Sequence, residues 1–76
     1  MITVRYFAGA RAAAGVHTAE LAGGTSIAEL TAAAHPQLAK VLSAASFLVD
    51  GLAWRDRDAA LPDDCTLDVL PPFAGG

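Results

Sequence analysis

The chain has 76 residues, a size at which folding buries only about 60% of the unfolded surface, so it makes one domain with a thin core and no room for an elaborate internal active site. Hydrophobic residues make up 54% and charged residues 17%, a globular rather than a disordered balance. The net charge is −3 and the five basic residues are scattered, which excludes a nucleic-acid footprint; no apolar run approaches the ~18 residues of a membrane span and no secretory leader is visible, so a cytoplasmic location is expected.

From Met1 to Ala8 the residues alternate, with Ile2, Val4 and Tyr6 on one face and Thr3, Arg5 and Phe7 on the other, the pattern of a half-buried strand. Gly9 to Gly15 is an Ala-rich piece between glycines, which predicts one or two helical turns stopped by Gly15. Val16 to Leu21 returns as an edge strand, antiparallel to the first across a wide connection. Gly23-Gly24 breaks the chain, and Ser26 with Glu29 three residues on forms a capping box ahead of a helix whose stripe is Ile27, Leu30 and Ala34. Pro36 ends that helix, because its ring excludes the helical hydrogen bond. A further helical stretch runs from Gln37 to Ala44 with Leu38, Val41 and Leu42 as its apolar face, either as a separate helix or as a kinked continuation.

Phe47-Leu48-Val49 reads as a strand, and Asp50-Gly51 as a type I′ turn that returns the chain through Leu52, Ala53 and Trp54. Arg55-Asp56-Arg57-Asp58 is a charged stretch best read as a solvated loop. Leu61-Pro62-Asp63-Asp64 makes a turn, and Thr66 to Leu70 is the last strand, with Leu67 and Val69 on one face. The single Cys65 has no partner for a disulfide or a metal site, and its acidic neighbours disfavour a thiolate, so it is a structural thiol. His17 and His35 lack an acid or nucleophile beside them and read as surface residues, and Lys40 as a helix-end charge.

After Leu70 come Pro71-Pro72-Phe73-Ala74-Gly75-Gly76. Each proline lacks an N–H and fixes φ, so sheet pairing stops and the chain leaves as a stiff extended segment. From Pro71 to Gly76 it spans at most about 20 Å, enough to carry a terminal carboxylate into a cleft too narrow for any residue with a side chain. The Gly76 carboxylate is therefore the candidate working group. The ordinary alternative, a frayed end, is outweighed by the Pro-Pro-Phe ahead of the glycines.

The order strand, strand, helix, strand, strand, strand predicts an α+β domain of residues 1–70, ubiquitin-like (β-grasp), with one main helix across a mixed sheet, a short helical connection after the first strand, and residues 71–76 as an extended tail. In that arrangement the first and last strands lie parallel in the sheet centre. Ile2, Val4, Tyr6, Leu67 and Val69 then face the helix, and Arg5 can pair with Asp68 on the other face. Phe7 and Leu70 would form an exposed apolar patch with Phe73 beside the tail exit, unless Phe7 is tucked under the Gly9 to Gly15 segment.

With these residues set out, the sequence resembles the MoaD/ThiS sulfur carrier proteins, and among them the small subunits of molybdopterin synthase, over its whole length. The resemblance is carried by Ile2-Thr3-Val4-Arg5-Tyr6-Phe7-Ala8, by Ala10-Arg11 and Ala14-Gly15, by Val49-Asp50-Gly51, and by Leu61-Pro62-Asp63-Asp64 leading into Val69 to Gly76. The ending is the specific part. Asp63-Asp64 stands where the family commonly has a Gly-Asp turn, a departure that touches the fold and not the chemistry.

The resemblance implies that the Gly76 carboxylate attacks the α-phosphate of ATP inside a ubiquitin-activating-type adenylyltransferase and becomes an acyl-adenylate. A sulfur donor enzyme then displaces AMP to leave a thiocarboxylate. The tail of Phe73, Ala74, Gly75 and Gly76 next enters the catalytic large subunit of molybdopterin synthase, where sulfur passes to cyclic pyranopterin monophosphate. The chain would be no enzyme on its own and would bind no cofactor; it has no Gly-rich phosphate loop, so ATP belongs to the activating partner. The family, together with position, implies that Phe7, Leu61, Leu70 and Phe73 are apolar docking residues and Arg11 a polar contact at the rim. Two other readings stay open: the same carrier chemistry serving thiamin thiazole or a sulfur amino acid, and a ubiquitin-like binding module whose tail is never activated.

Overall fold

The structure is a computed structural model that describes residues 1–72. Phe73, Ala74, Gly75 and Gly76 lie outside the described residues. Five strands and three helices follow one another as β1 (Ile2–Tyr6), α1 (Ala8–Ala14), β2 (Thr18–Leu21), α2 (Ile27–Ala33), α3 (Pro36–Ala44), β3 (Ser46–Val49), β4 (Leu52–Ala53) and β5 (Thr66–Leu70). They form one mixed sheet in the order β2-β1-β5-β3-β4. β1 and β5 run parallel, Val4 opposite Leu67 and Arg5 opposite Asp68, and the other pairings are antiparallel. This is the expected ubiquitin-like arrangement.

Local signals decide most boundaries. β1 stops at Tyr6 rather than at Ala8 because Ala8 takes φ +47°, a left-handed turn that lifts the chain off the sheet into α1. Gly15, at φ +78°, ends α1 with its N–H donating to the Arg11 carbonyl. Asp50 and Gly51 both have positive φ, as a type I′ turn between β3 and β4 requires. The capping box is formed in full: the Ser26 hydroxyl accepts from the Glu29 N–H at 3.1 Å and the Glu29 carboxylate from the Ser26 N–H at 3.0 Å.

Of the two alternatives for the helical stretch after Pro36, the structure shows a separate helix. Ala34 leaves helical geometry at ψ 150°, His35 caps the next helix through Nδ1, which accepts from the Leu38 N–H, and Pro36 is the first residue of α3. Proline suits that position, where its missing N–H has no helical partner.

The core lies between the sheet and the helices: Ile2, Val4 and Tyr6 from β1, Leu67 and Val69 from β5, Phe47 and Val49 from β3, then Ile27, Leu30, Leu38 and Leu42 from α2 and α3. Fully burying each such side chain contributes about 1.5–3 kcal/mol. Cys65 belongs to this core, and burial pushes its thiol pKa up, as fits a structural thiol.

The stretch read as a solvated charged loop holds a structural residue. Arg57 donates to the carbonyls of Leu42 at 2.9 Å, Ala45 at 3.0 Å and Ser43 at 3.4 Å, and its guanidinium lies 4.9 Å from the centre of the Phe47 ring. It closes the open carbonyl end of α3, whose last turn contains no basic residue of its own.

Candidate functional site

The site is the end of the sheet at which β5 releases the chain. β5 is central, held by β1 on one side and β3 on the other; its last residue, Leu70, stands opposite Ser46 of β3, and Pro71 and Pro72 follow it outside any regular element. The Phe7 N–H donates to the Val69 carbonyl at 3.3 Å, and on the β3 side the pairing runs one residue further, to Leu70, the last before the prolines.

On the face away from the helices, Arg5 and Asp68 pair as expected: Arg5 Nε donates to Asp68 Oδ1 at 2.6 Å and Nη2 to Oδ2 at 2.9 Å. This fork geometry holds a carboxylate in two bonds at once, and Asp68 raises the pKa of the guanidinium further. Asp68 itself is buried. The Arg5 guanidinium also lies 5.4 Å from the centre of the Phe7 ring, so one arginine covers both the carboxylate and part of the aromatic face. Beside this cluster stand Leu70 on β5 and Leu48, which is opposite Asp68 in the register of β3.

The expected docking residues fare differently. Phe7 and Leu70 are brought to the tail exit, yet both are half-buried rather than exposed; the Arg5 side chain and the start of α1 account for the difference at Phe7. Leu61 is a correction. It is only 2% exposed and belongs to the core, because an antiparallel bridge between Ser26 and Ala60 and a 3.0 Å bond from the Leu61 N–H to the Thr25 carbonyl draw it inward. It has no surface to offer a partner. Arg11 is exposed on the flank of α1, where it lines a shallow depression with Val16 and His17, apart from Phe7 and Leu70.

Leu48 was missed, although the alternation Phe47-Leu48-Val49 already puts it on the outer face. A second missed feature is a groove of about 330 Å³ on the helical side of the exit, lined by Gly9, Lys40, Val41, Ala44, Pro71 and Pro72. Among the described residues no cluster of His, Cys, Asp and Glu is arranged to hold a metal, and no helix is long and apolar enough to cross a membrane.

At the exit, two prolines leave a central strand beside an apolar face covered in part by a guanidinium. The sequence profile of the ThiS family matches residues 4–76. The chain belongs to the ThiS family. Solved structures agree with the fold of this ThiS-family chain. SAMP1 from Haloferax volcanii is 24% identical with a TM-score of 0.71, the alignment covering 99% of this chain and 98% of that one. The complex of subunits 1 and 2 of the molybdopterin-converting factor from Helicobacter pylori matches at 19% identity and TM-score 0.69, over 99% of this chain and 97% of that one. A Pyrococcus furiosus protein with the provisional description molybdopterin converting factor, subunit 1, is 25% identical with a TM-score of 0.67, over 95% and 97% of the two chains. No curated protein sequence matches the chain. The ThiS/MoaD group is one of ubiquitin-like sulfur carriers, and the fold and the family seen in the sequence are both borne out.

Proposed function

We propose that this ThiS-family chain is the sulfur-donating small subunit of a molybdopterin synthase. Gly76 is adenylated at its carboxylate by a ubiquitin-activating-type adenylyltransferase that binds the ATP, and a sulfur donor enzyme converts the adenylate to a thiocarboxylate. The loaded tail, Phe73 to Gly76, enters the catalytic large subunit, which transfers the sulfur to cyclic pyranopterin monophosphate. The observation that carries this reading is the family match running through to Gly76. The two molybdopterin converting factor subunits among the similar folds support the choice of acceptor.

The chemistry suits the architecture. A carboxylate is a poor electrophile until AMP becomes its leaving group, so the reacting end has to reach another protein's ATP site, and the two prolines after Leu70 end sheet pairing and restrict φ where the tail begins. Phe7, Leu48 and Leu70 form the apolar face on which such partners dock, with Arg5 and Asp68 fixing its shape. The family description also fits the same carrier chemistry feeding thiamin thiazole synthesis, which keeps Gly76 in its role and changes only the acceptor.

Intact mass tests the reading. After incubation with ATP, an adenylyltransferase of this class and a sulfur donor, the chain gains the mass of one sulfur-for-oxygen exchange, and a variant lacking Gly76 does not. No gain under conditions that load a known carrier would sink the proposal. Discharge of the thiocarboxylate by a molybdopterin synthase large subunit with its pterin substrate, and not by a thiazole synthase, selects the acceptor.

A further inference from the structure

β2 is an edge of the sheet: among the described residues it is paired with β1 along one side and with no strand along the other. Its register with β1 runs without a bulge from Leu21 opposite Ile2 to Thr18 opposite Arg5. The strand holds no proline and no lysine, so several of the devices that make an edge unfit for pairing are missing. The opposite edge, β4, is only two residues long.

The ladder decides which backbone groups β2 leaves open. The Tyr6 N–H donates to the His17 carbonyl at 2.9 Å, whereas the Thr3 N–H turns the other way, to the Cys65 carbonyl at 3.0 Å. Bonded and non-bonded pairs alternate along an antiparallel ladder, so His17, Ala19 and Leu21 direct their backbone groups to β1, while Thr18 and Glu20 direct theirs outward. The side chains alternate in step. Thr18 and Glu20 are exposed on the outer face with Arg5, and Ala19 and Leu21 are half-buried toward the helices.

We propose that this edge pairs with the same edge of a second copy of the chain, antiparallel, about a twofold axis at Ala19. An axis perpendicular to the sheet keeps the helices of both copies on one side, so each residue meets one of its own face. Both outward-pointing residues bond only when Thr18 meets Glu20 of the second copy, which gives two backbone hydrogen bonds in each of the symmetry-related pairs. A slip in one direction sets Glu20 against Glu20, and like charges directly opposite are destabilising; a slip in the other sets Glu20 against Val16, beyond the strand. In the selected register the Thr18 hydroxyl can donate to the Glu20 carboxylate, and Ala19 meets Ala19 without bulk. That carboxylate lies about 10 Å, two strand spacings, from the backbone of Arg5, whose guanidinium is on the same face. The two sheets become one, with both docking faces on one side and the tail exits at opposite ends. A single short strand buries less than the ~1,200 Å² of a stable specific interface, so the pairing is reversible and shows at high protein concentration.

Sedimentation equilibrium and solution NMR on the full-length chain test it. From micromolar to millimolar concentration the average mass rises from monomer toward dimer. In a mixture of labelled and unlabelled chain, an intermolecular cross-peak joins the Ala19 Hα protons, which face each other in the non-bonded pair at the axis. Thr18→Lys places a cation opposite Glu20 twice per dimer and tightens association several-fold at low salt; Thr18→Glu weakens it several-fold. Amide shifts of β1 and β5 that stay in place show that both variants keep the fold. A mass that remains monomeric through the millimolar range overturns the proposal. So does a dimer without the Ala19 cross-peak, or one that Thr18→Lys does not tighten.

Discussion

Leu61 and Leu52 are two leucines nine positions apart with opposite fates: the first is 2% exposed and the second 75%. A domain of this size has a total stability of about 4–11 kcal/mol, and removing a buried leucine side chain costs about 2–5 kcal/mol. Leu61→Ala is thus expected to remove much of the stability in urea unfolding, and Leu52→Ala to change it by less than about 0.5 kcal/mol. Nothing in the immediate sequence of Leu61 shows this, because the bridge that buries it comes from Ser26, far back in the chain. Cys65 and Tyr6 are the buried groups that contribute to the pH dependence on the alkaline side. Burial raises both pKa values, from 9.0 for the thiol and 10.0 for the phenol. An acid with a raised pKa in the fold keeps its proton at a pH where the unfolded chain has lost it, so the contribution of these two groups is complete below about pH 9 and is lost as pH rises through the shifted values. Urea midpoints should fall on going above about pH 9, and Cys65→Ala should reduce the fall. A midpoint flat through that range would contradict the burial of both groups.

At the scale of elements, Arg57 does what no helix residue does for α3. Its three bonds to carbonyls at the C-terminal end, with the Phe47 ring beneath, satisfy groups that a helix leaves open, and its own carbonyl accepts from the Ala28 N–H in the first turn of α2 at 2.8 Å. Arg57→Ala is expected to cost about 1.5–3 kcal/mol, with Arg57→Lys recovering only part because an ammonium lacks the planar fork; thermal melts of the three proteins decide it. The capping box, the Gly15 stop, the Asp50-Gly51 turn and the break at Pro36 were all legible because each is a local rule, satisfied within a few residues. Arg57 was not legible because its acceptors are 12 to 15 positions away, and a charged stretch reads alike whether it faces water or closes a distant helix.

For the whole molecule, the order of elements suggested the ubiquitin-like arrangement that puts β1 and β5 side by side at the centre of the sheet, and the alternation within each strand then put Arg5 and Asp68 on the same face, because a half-buried strand has only two faces to choose between. The candidate site was legible to the same depth: Phe7 and Leu70 arrive at the exit, while the groove of Gly9, Val41 and Ala44 depends on how α1 sits beside α3, which no spacing encodes. The parallel pairing of β1 and β5 also has a mechanical consequence. The chain enters at one end of that ladder and leaves at the other, so tension between the start of β1 and the end of β5 loads their hydrogen bonds in shear, all together, instead of unzipping them in turn. Pulling at those two points should therefore require a markedly higher rupture force than pulling between Ser46 and Leu70, which stand opposite each other at one end of the antiparallel pair, so that β3 peels from β5 one bond at a time. Force applied at the end of β5 thus meets the ladder in its more resistant direction whenever the start of β1 is held.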